Sequence, residues 1–114
     1  MKTLDQIALS TTDRRAIEAA AGVLRREFPV KQVTLFGSKA RGEDEPESDI
    51  DLLVLTIRPL STAEESRAIA LLLDLELELA VVISVLFITE EDWERGVYQV
   101  LPIHTEIARD GVAA

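Results

Sequence analysis

The stretch Leu35–Leu55, LFGSKARGEDEPESDIDLLVL, decides how this sequence is read. A β-branched and aromatic run, Gln32–Phe36, stops at Gly37-Ser38, as a strand does at a turn. Residues 37–48 form a polar linker, within which Lys39-Ala40-Arg41 can start a short helix. A glycine at the bend lets backbone approach a ligand closely, and the N–H groups of a helix start point at an anion. Ser38 adds a hydroxyl donor, and Lys39 and Arg41 add positive charge, so phosphate oxygens are the natural guest. From Asp49 to Thr56 the chain reads DIDLLVLT, a strand buried on both faces after its first turn. Asp49 and Asp51 are one residue apart, which projects both carboxylates from one face. Such a pair repels itself unless a cation is shared, and Mg²⁺ suits it, taking one or two carboxylates and completing its shell with phosphate oxygens and water. A second ion on the same acids would make a two-metal site, one ion activating an attacking hydroxyl and the other steadying a leaving pyrophosphate.

Outward from this segment the periods alternate. Ile17, Ala20, Ala21, Leu24 and Phe28 recur three and four apart, predicting an amphipathic helix from about Thr12 to Glu27, stopped by Pro29. Ser61 with Glu64 reads as a capping box opening a helix over Thr62–Leu79, although its end, LELEL, alternates like a strand. Val81–Ile88, VVISVLFI, is the clearest strand. Thr89 with Asp92 opens a short helix (EEDWERG), and Tyr98–Arg109 is a last amphipathic helix, broken or entered at Pro102. Gly111-Val112 reads as a helix stop and a stub of strand. The order α-β-β-α-β-α-α predicts an α+β (mixed α/β) domain over 1–114, a small mixed sheet with helices mainly on one face.

With 114 residues, one small domain is expected, and the modest core of that size makes a homo-oligomer or complex plausible. There are no cysteines, which excludes a thiol nucleophile, a disulfide framework and Cys-ligated metal. A net charge of −9 argues against attraction to a nucleic-acid backbone, so no direct DNA binding is expected and any phosphate ligand needs a local site. The start, MKTLDQIALSTTD, has no signal-peptide pattern and no apolar run reaches membrane-spanning length, so a cytoplasmic protein without membrane contact is expected. His104, Trp93 and Tyr98 read as packed or partner-facing residues, and the EDEPE run as a loop.

Gly37-Ser38, ten residues, then Asp49-Ile50-Asp51 matches the GS-x10-DxD signature, and with ARG, SDIDLLV and the length the chain resembles the minimal nucleotidyltransferases of the DNA polymerase beta superfamily. That resemblance implies the polymerase-beta type of nucleotidyltransferase fold. It also implies transfer of a nucleoside monophosphate from an NTP, here ATP, to a hydroxyl, with Mg²⁺ held by the acids. On the matching positions, Gly37 and Ser38 would hold the triphosphate, with Lys39 and Arg41 beside it, and Asp49 and Asp51 would be the catalytic metal ligands. Small members of the family look like antitoxins of HEPN-domain ribonuclease toxins, some attaching AMP to a toxin tyrosine. One departure stands out. The superfamily's third carboxylate belongs on a later strand, where this chain has Val82, or Ser84 if the register slips; Glu76 or Glu78 would substitute only if that strand began earlier. A general base is worth about 10²–10⁴-fold in rate, so an antitoxin that neutralises by binding alone is the alternative expectation.

Overall fold

The computed structural model describes residues 1–43 and 48–114. Most of the EDEPE loop, residues 44–47, therefore lies outside the described residues. The chain opens with a two-residue strand β1 (Lys2–Thr3), a single 3₁₀ turn, and helix α1 (Thr11–Glu27). Ser10 caps α1 by accepting from the Asp13 N–H at 3.0 Å, a contact of a kind that stabilises a helix by about 1 kcal/mol. The three-four repeat does what it predicts: Ala16, Ile17, Ala20, Ala21 and Leu24 are buried. Full burial of an aliphatic such as Ile17 or Leu24 stabilises by roughly 1.5–3 kcal/mol each. Phe28, before Pro29, is extended and ends the helix.

Strand β2 (Val30–Phe36), helix α2 (Ser38–Arg41) and strand β3 (Ile50–Thr56) follow, so the expected polar linker holds one real helical turn. Helix α3 (Thr62–Leu79) runs as the capping box and apolar spacing predict, with Ser61 and Glu64 exchanging both bonds of the box. Its alternating LELEL end stays helical and closes at Ala80 with φ 54°, an uncommon backbone for a residue with a Cβ. Strand β4 (Ile83–Thr89) starts two residues later than the valines suggest. Val81 is spent on ending α3, its N–H donating to the Glu76 carbonyl. Helix α4 (Glu90–Arg95) is capped by Thr89, a 3₁₀ segment spans Val97–Val100, helix α5 (Pro102–Asp110) is entered at Pro102, and strand β5 (Val112–Ala113) is the expected stub.

Among the described residues the five strands form one mixed sheet in the order β1-β5-β2-β3-β4. β3 pairs antiparallel with β2 and parallel with β4, which is an edge. Alternation splits the sheet's side chains between two cores. Val33, Leu35, Ile50, Leu52, Val54 and Ile83 pack with α1 and α3. Leu53, Leu55 and Ile88 pack on the opposite face with Trp93 of α4 and Ile107 of α5. The long helices thus share one face, as expected, while short α4 and α5 cover part of the other. The acidic start of β3 projects from that second face, ahead of the covered part.

Candidate active site

The site is assembled by register. Asp51 has the same sheet parity as Leu53 and Leu55 and pairs with Phe36 on β2 and Ser84 on β4. Gly37 follows Phe36 directly, so the Gly37-Ser38 bend turns at the level of the carboxylates. Gly37 has φ 77° and ψ −159°, backbone that is essentially confined to glycine. A Cβ there would collide with the Asp51 carboxylate, whose Cγ would lie 3.3 Å away. The glycine therefore serves twice, supplying the turn and leaving room for the acid. Ser38 then begins α2, and the turn closes through the Arg41 N–H to Gly37 carbonyl bond at 3.2 Å.

Asp49 is exposed and Asp51 half-buried. Burial, and secondarily the charge of Asp49, push the Asp51 carboxyl above its ordinary range, while Arg41 pulls it back. Two acids and one guanidinium are thereby within electrostatic reach of one another. Arg41 also pairs with Glu43 at 3.1 Å. With Lys2 and Arg109 it lines a cleft of about 290 Å³ beside α2.

Lys39 is placed differently from a nucleotide-facing cation. It is 1% exposed, and its Nζ lies 2.7 Å from Asp13 Oδ2 in the first turn of α1. The physical reason is that α2 packs its Lys39-Ala40 face inward, where an ammonium needs a carboxylate partner. Asp13 is a residue the sequence reading missed. No short-range pattern links it to Lys39, 26 positions away. Glu76 and Glu78 lie on α3, not on a strand, and Glu76 Oε2 accepts from the Ile83 N–H at 3.3 Å. Neither takes the place of the third carboxylate. Ser84 stands directly opposite Asp51, and the carbonyl of Val82, two residues earlier, accepts from the Ile50 N–H at 2.8 Å. Both Val82 and Ser84 are exposed on the acids' side of the sheet, so this position is open and carries no acid. His104 stacks on Trp93 with ring centroids 4.5 Å apart, as a packed histidine.

The donor set fits a hard divalent cation. Among the described residues no group of three or more acidic, His or Cys side chains forms an all-protein cage. Two mutually repelling carboxylates at an open end suit Mg²⁺, which keeps water and substrate oxygens in its shell.

A nucleotidyltransferase domain model matches residues 17–109, from α1 to the end of α5 and across the whole GS and DxD constellation. The chain belongs to the nucleotidyltransferase domain family. Within this family, "Putative protein adenylyltransferase MJ1379" of Methanocaldococcus jannaschii is 41% identical over 54 residues, covering 47% of this chain and 48% of that protein. The matched stretches thus span about half the length of the curated relatives. Among solved structures, one described as "Structure of putative minimal nucleotidyltransferase" superposes with a TM-score of 0.58 and 27% identity, over 87% of this chain and 89% of that one. A chain from the complex of a tri-AMPylated Shewanella oneidensis HEPN toxin with its MNT antitoxin has a TM-score of 0.54, covering 89% of this chain and 70% of that one. At 16% identity that last likeness is one of fold. These likenesses bear out the expected nucleotidyltransferase fold and class.

Proposed function

We propose that this nucleotidyltransferase domain transfers AMP from ATP to a protein hydroxyl, a tyrosine of a HEPN-type toxin, with Mg²⁺, and so acts as that toxin's antitoxin. The observation that supports this most is the fit of the side-chain-free Gly37 turn against Asp51, which brings an anion-binding bend and a cation-binding pair into one place. The toxin–antitoxin likeness in fold and the adenylyltransferase relatives point the same way.

On this reading the N–H groups at the start of α2 and the Ser38 hydroxyl donate to phosphate oxygens. Arg41 offsets charge on the departing pyrophosphate. Asp49 and Asp51 would hold Mg²⁺, which supplies charge neutralisation and lowers the pKa of the attacking hydroxyl. Lys39 takes a positioning role, tying α2 to α1 through Asp13. The hydroxyl oxygen forms a bond to the α-phosphorus as the bond to the β-phosphate oxygen breaks, and pyrophosphate leaves. The hydroxyl proton passes to solvent. A tyrosine acceptor suits a site without a third acid, because a phenol has a pKa of about 10 and demands less of a base than an aliphatic alcohol.

The test is intact-mass measurement of the toxin after incubation with this protein and Mg-ATP. One or more AMP adducts are expected, all lost in Asp49→Asn/Asp51→Asn. No adduct under any divalent metal would overturn the reading. The second reading, neutralisation by binding alone, is favoured by the acid-free Val82 and Ser84 positions. It wins if the double Asn variant protects against the toxin as well as wild type.

A further inference from the structure

Helix α3 carries an apolar strip that nothing among the described residues covers. Ile69, Leu73 and Leu77, at i, i+4 and i+8, are 56%, 48% and 76% exposed, although Ala68 and Leu72 of the same helix are buried. Small Ser66 and Ala70 lie along the strip and would let another backbone approach. Single exposed aliphatics are ordinary on a protein surface, but a continuous strip of them marks an interaction face.

The strip's charge identifies what it fits. On one flank Arg67 reaches α1, pairing with Glu27 at 3.0 Å and lying over the Phe28 ring. On the other flank Glu76 reaches the outer backbone of β4 at Ile83. Helical geometry sets Leu73 nearer the Glu76 flank than the Arg67 flank. The strip therefore faces away from the sheet, opposite buried Ala68 and Leu72, with its Ile69 side toward the β4 edge. The rim is acidic: Glu65, Asp74 and Glu78 are exposed along it, Glu64 is taken by Arg58, and Arg67, the single base of the helix, is turned toward α1. A second copy would bring the same acidic rim, and the −9 net charge adds to that repulsion.

We infer that the Ile69-Leu73-Leu77 strip is the docking face for an amphipathic helix of the acceptor protein, one whose own apolar stripe is flanked by lysine or arginine. The strip lies on the α1 and α3 side of the sheet and Asp51 on the other, so a docked acceptor reaches the carboxylates around the β4 edge. The inference deepens the proposed function and shares with it the assumption of a protein acceptor.

The direct probe is a synthetic helical peptide with leucines at i, i+4 and i+8 and lysines on both shoulders, read by fluorescence anisotropy against the full chain. Binding is expected, weakening about 10- to 100-fold with Leu73→Asp, weakening with salt, and absent for a twin peptide with glutamate shoulders. Glu65→Lys/Asp74→Lys/Glu78→Lys, on the exposed rim, should remove most of the salt dependence. Leu73→Ile should restore binding, and thermal melts check that each variant is folded. Equal binding by wild type and Leu73→Asp overturns the inference. So does sedimentation of wild type as a dimer that Leu73→Asp converts to monomer, since the occupant is then a second copy. With the HEPN toxin as acceptor, Leu73→Asp should raise KM while kcat holds. A toxin that binds through the strip yet never receives AMP supports the docking face and overturns only the catalytic reading; a toxin bound equally well by Leu73→Asp overturns the docking face.

Discussion

Gly37→Ala tests the core of the site with a single methyl group. The wild-type backbone there, at φ 77° and ψ −159°, costs an L-residue about 1–3 kcal/mol. The new Cβ would also press on the Asp51 carboxylate, so either the turn or the acid must move. Gly42→Ala is the natural control. Gly42 has φ 72° and ψ 23°, and a Cβ there meets no described atom within 4 Å. That variant bears only the left-handed backbone cost, about 1 kcal/mol. In a domain of this size 1 kcal/mol shifts Tm by roughly 4–5 °C. Gly42→Ala should therefore lose about that much and keep its Mg²⁺-induced thermal shift and AMP transfer. Gly37→Ala should fall at least as far in Tm and lose both readouts, because Asp51 is displaced. The assays are melts with and without Mg²⁺ and intact-mass detection of AMP on the acceptor. A folded Gly37→Ala that transfers AMP at the wild-type rate would refute the claim that the turn and Asp51 must fit against each other.

Four other outcomes follow from the same geometry. Lys39→Ala strands Asp13 without its buried ammonium and should cost about 3 kcal/mol in a denaturant titration; an unchanged midpoint would remove the ion pair from the stability account. Ala80→Gly relieves the positive φ that ends α3 and should raise stability by about 0.5–1 kcal/mol, read as a higher Tm. The folded Asp51 carboxyl titrates above its ordinary value, so the native state holds the proton more tightly and stability falls as pH rises through that window. Asp51→Asn should therefore melt higher than wild type at pH 7 without metal, with the gap closing in acid, and a lower melt would contradict that sign. Ser84→Asp places an acid opposite Asp51 and should tighten Mg²⁺ binding and speed AMP transfer by about 10²-fold, whereas a slower enzyme would show that this position is not the vacant base.

What could be read from the sequence depended on whether a signal was local. The bounds of α3 were legible because the capping box at Ser61 and Glu64 and the apolar spacing are both short-range, and the structure ends the helix at Leu79. The GS and DxD pairs were legible for the same reason, each being a few residues of chain. The Asp51–Ser84 pairing was not, since a run such as VVISV fixes the period of a strand and says nothing about its partner's register. β1 spans only Lys2–Thr3 and left no periodic trace at all. The Lys39–Asp13 pair is hidden for a similar reason. A lysine after a glycine-serine turn looks like a ligand for phosphate, and only the packing of α2 on α1 gives it to Asp13.

The poverty of acids in this site and the apolar strip on α3 belong to one design problem. A nucleotidyltransferase that must act on many free hydroxyls needs a strong base, because each encounter is brief and the acceptor is poorly activated. One that receives a docked protein has that demand lowered, since holding the acceptor in place converts a bimolecular encounter into an intramolecular one and supplies several kcal/mol toward the barrier. A phenol lowers it further, having less of its proton's free energy to surrender. Ser84 and Val82 in the place of a carboxylate are then compatible with chemistry, provided that the acceptor is a tyrosine and the strip on α3 anchors the protein that carries it. On the same reasoning a polar strip should lower kcat/KM through KM alone, because an acceptor that still reaches the site presents the same phenol to the same two acids.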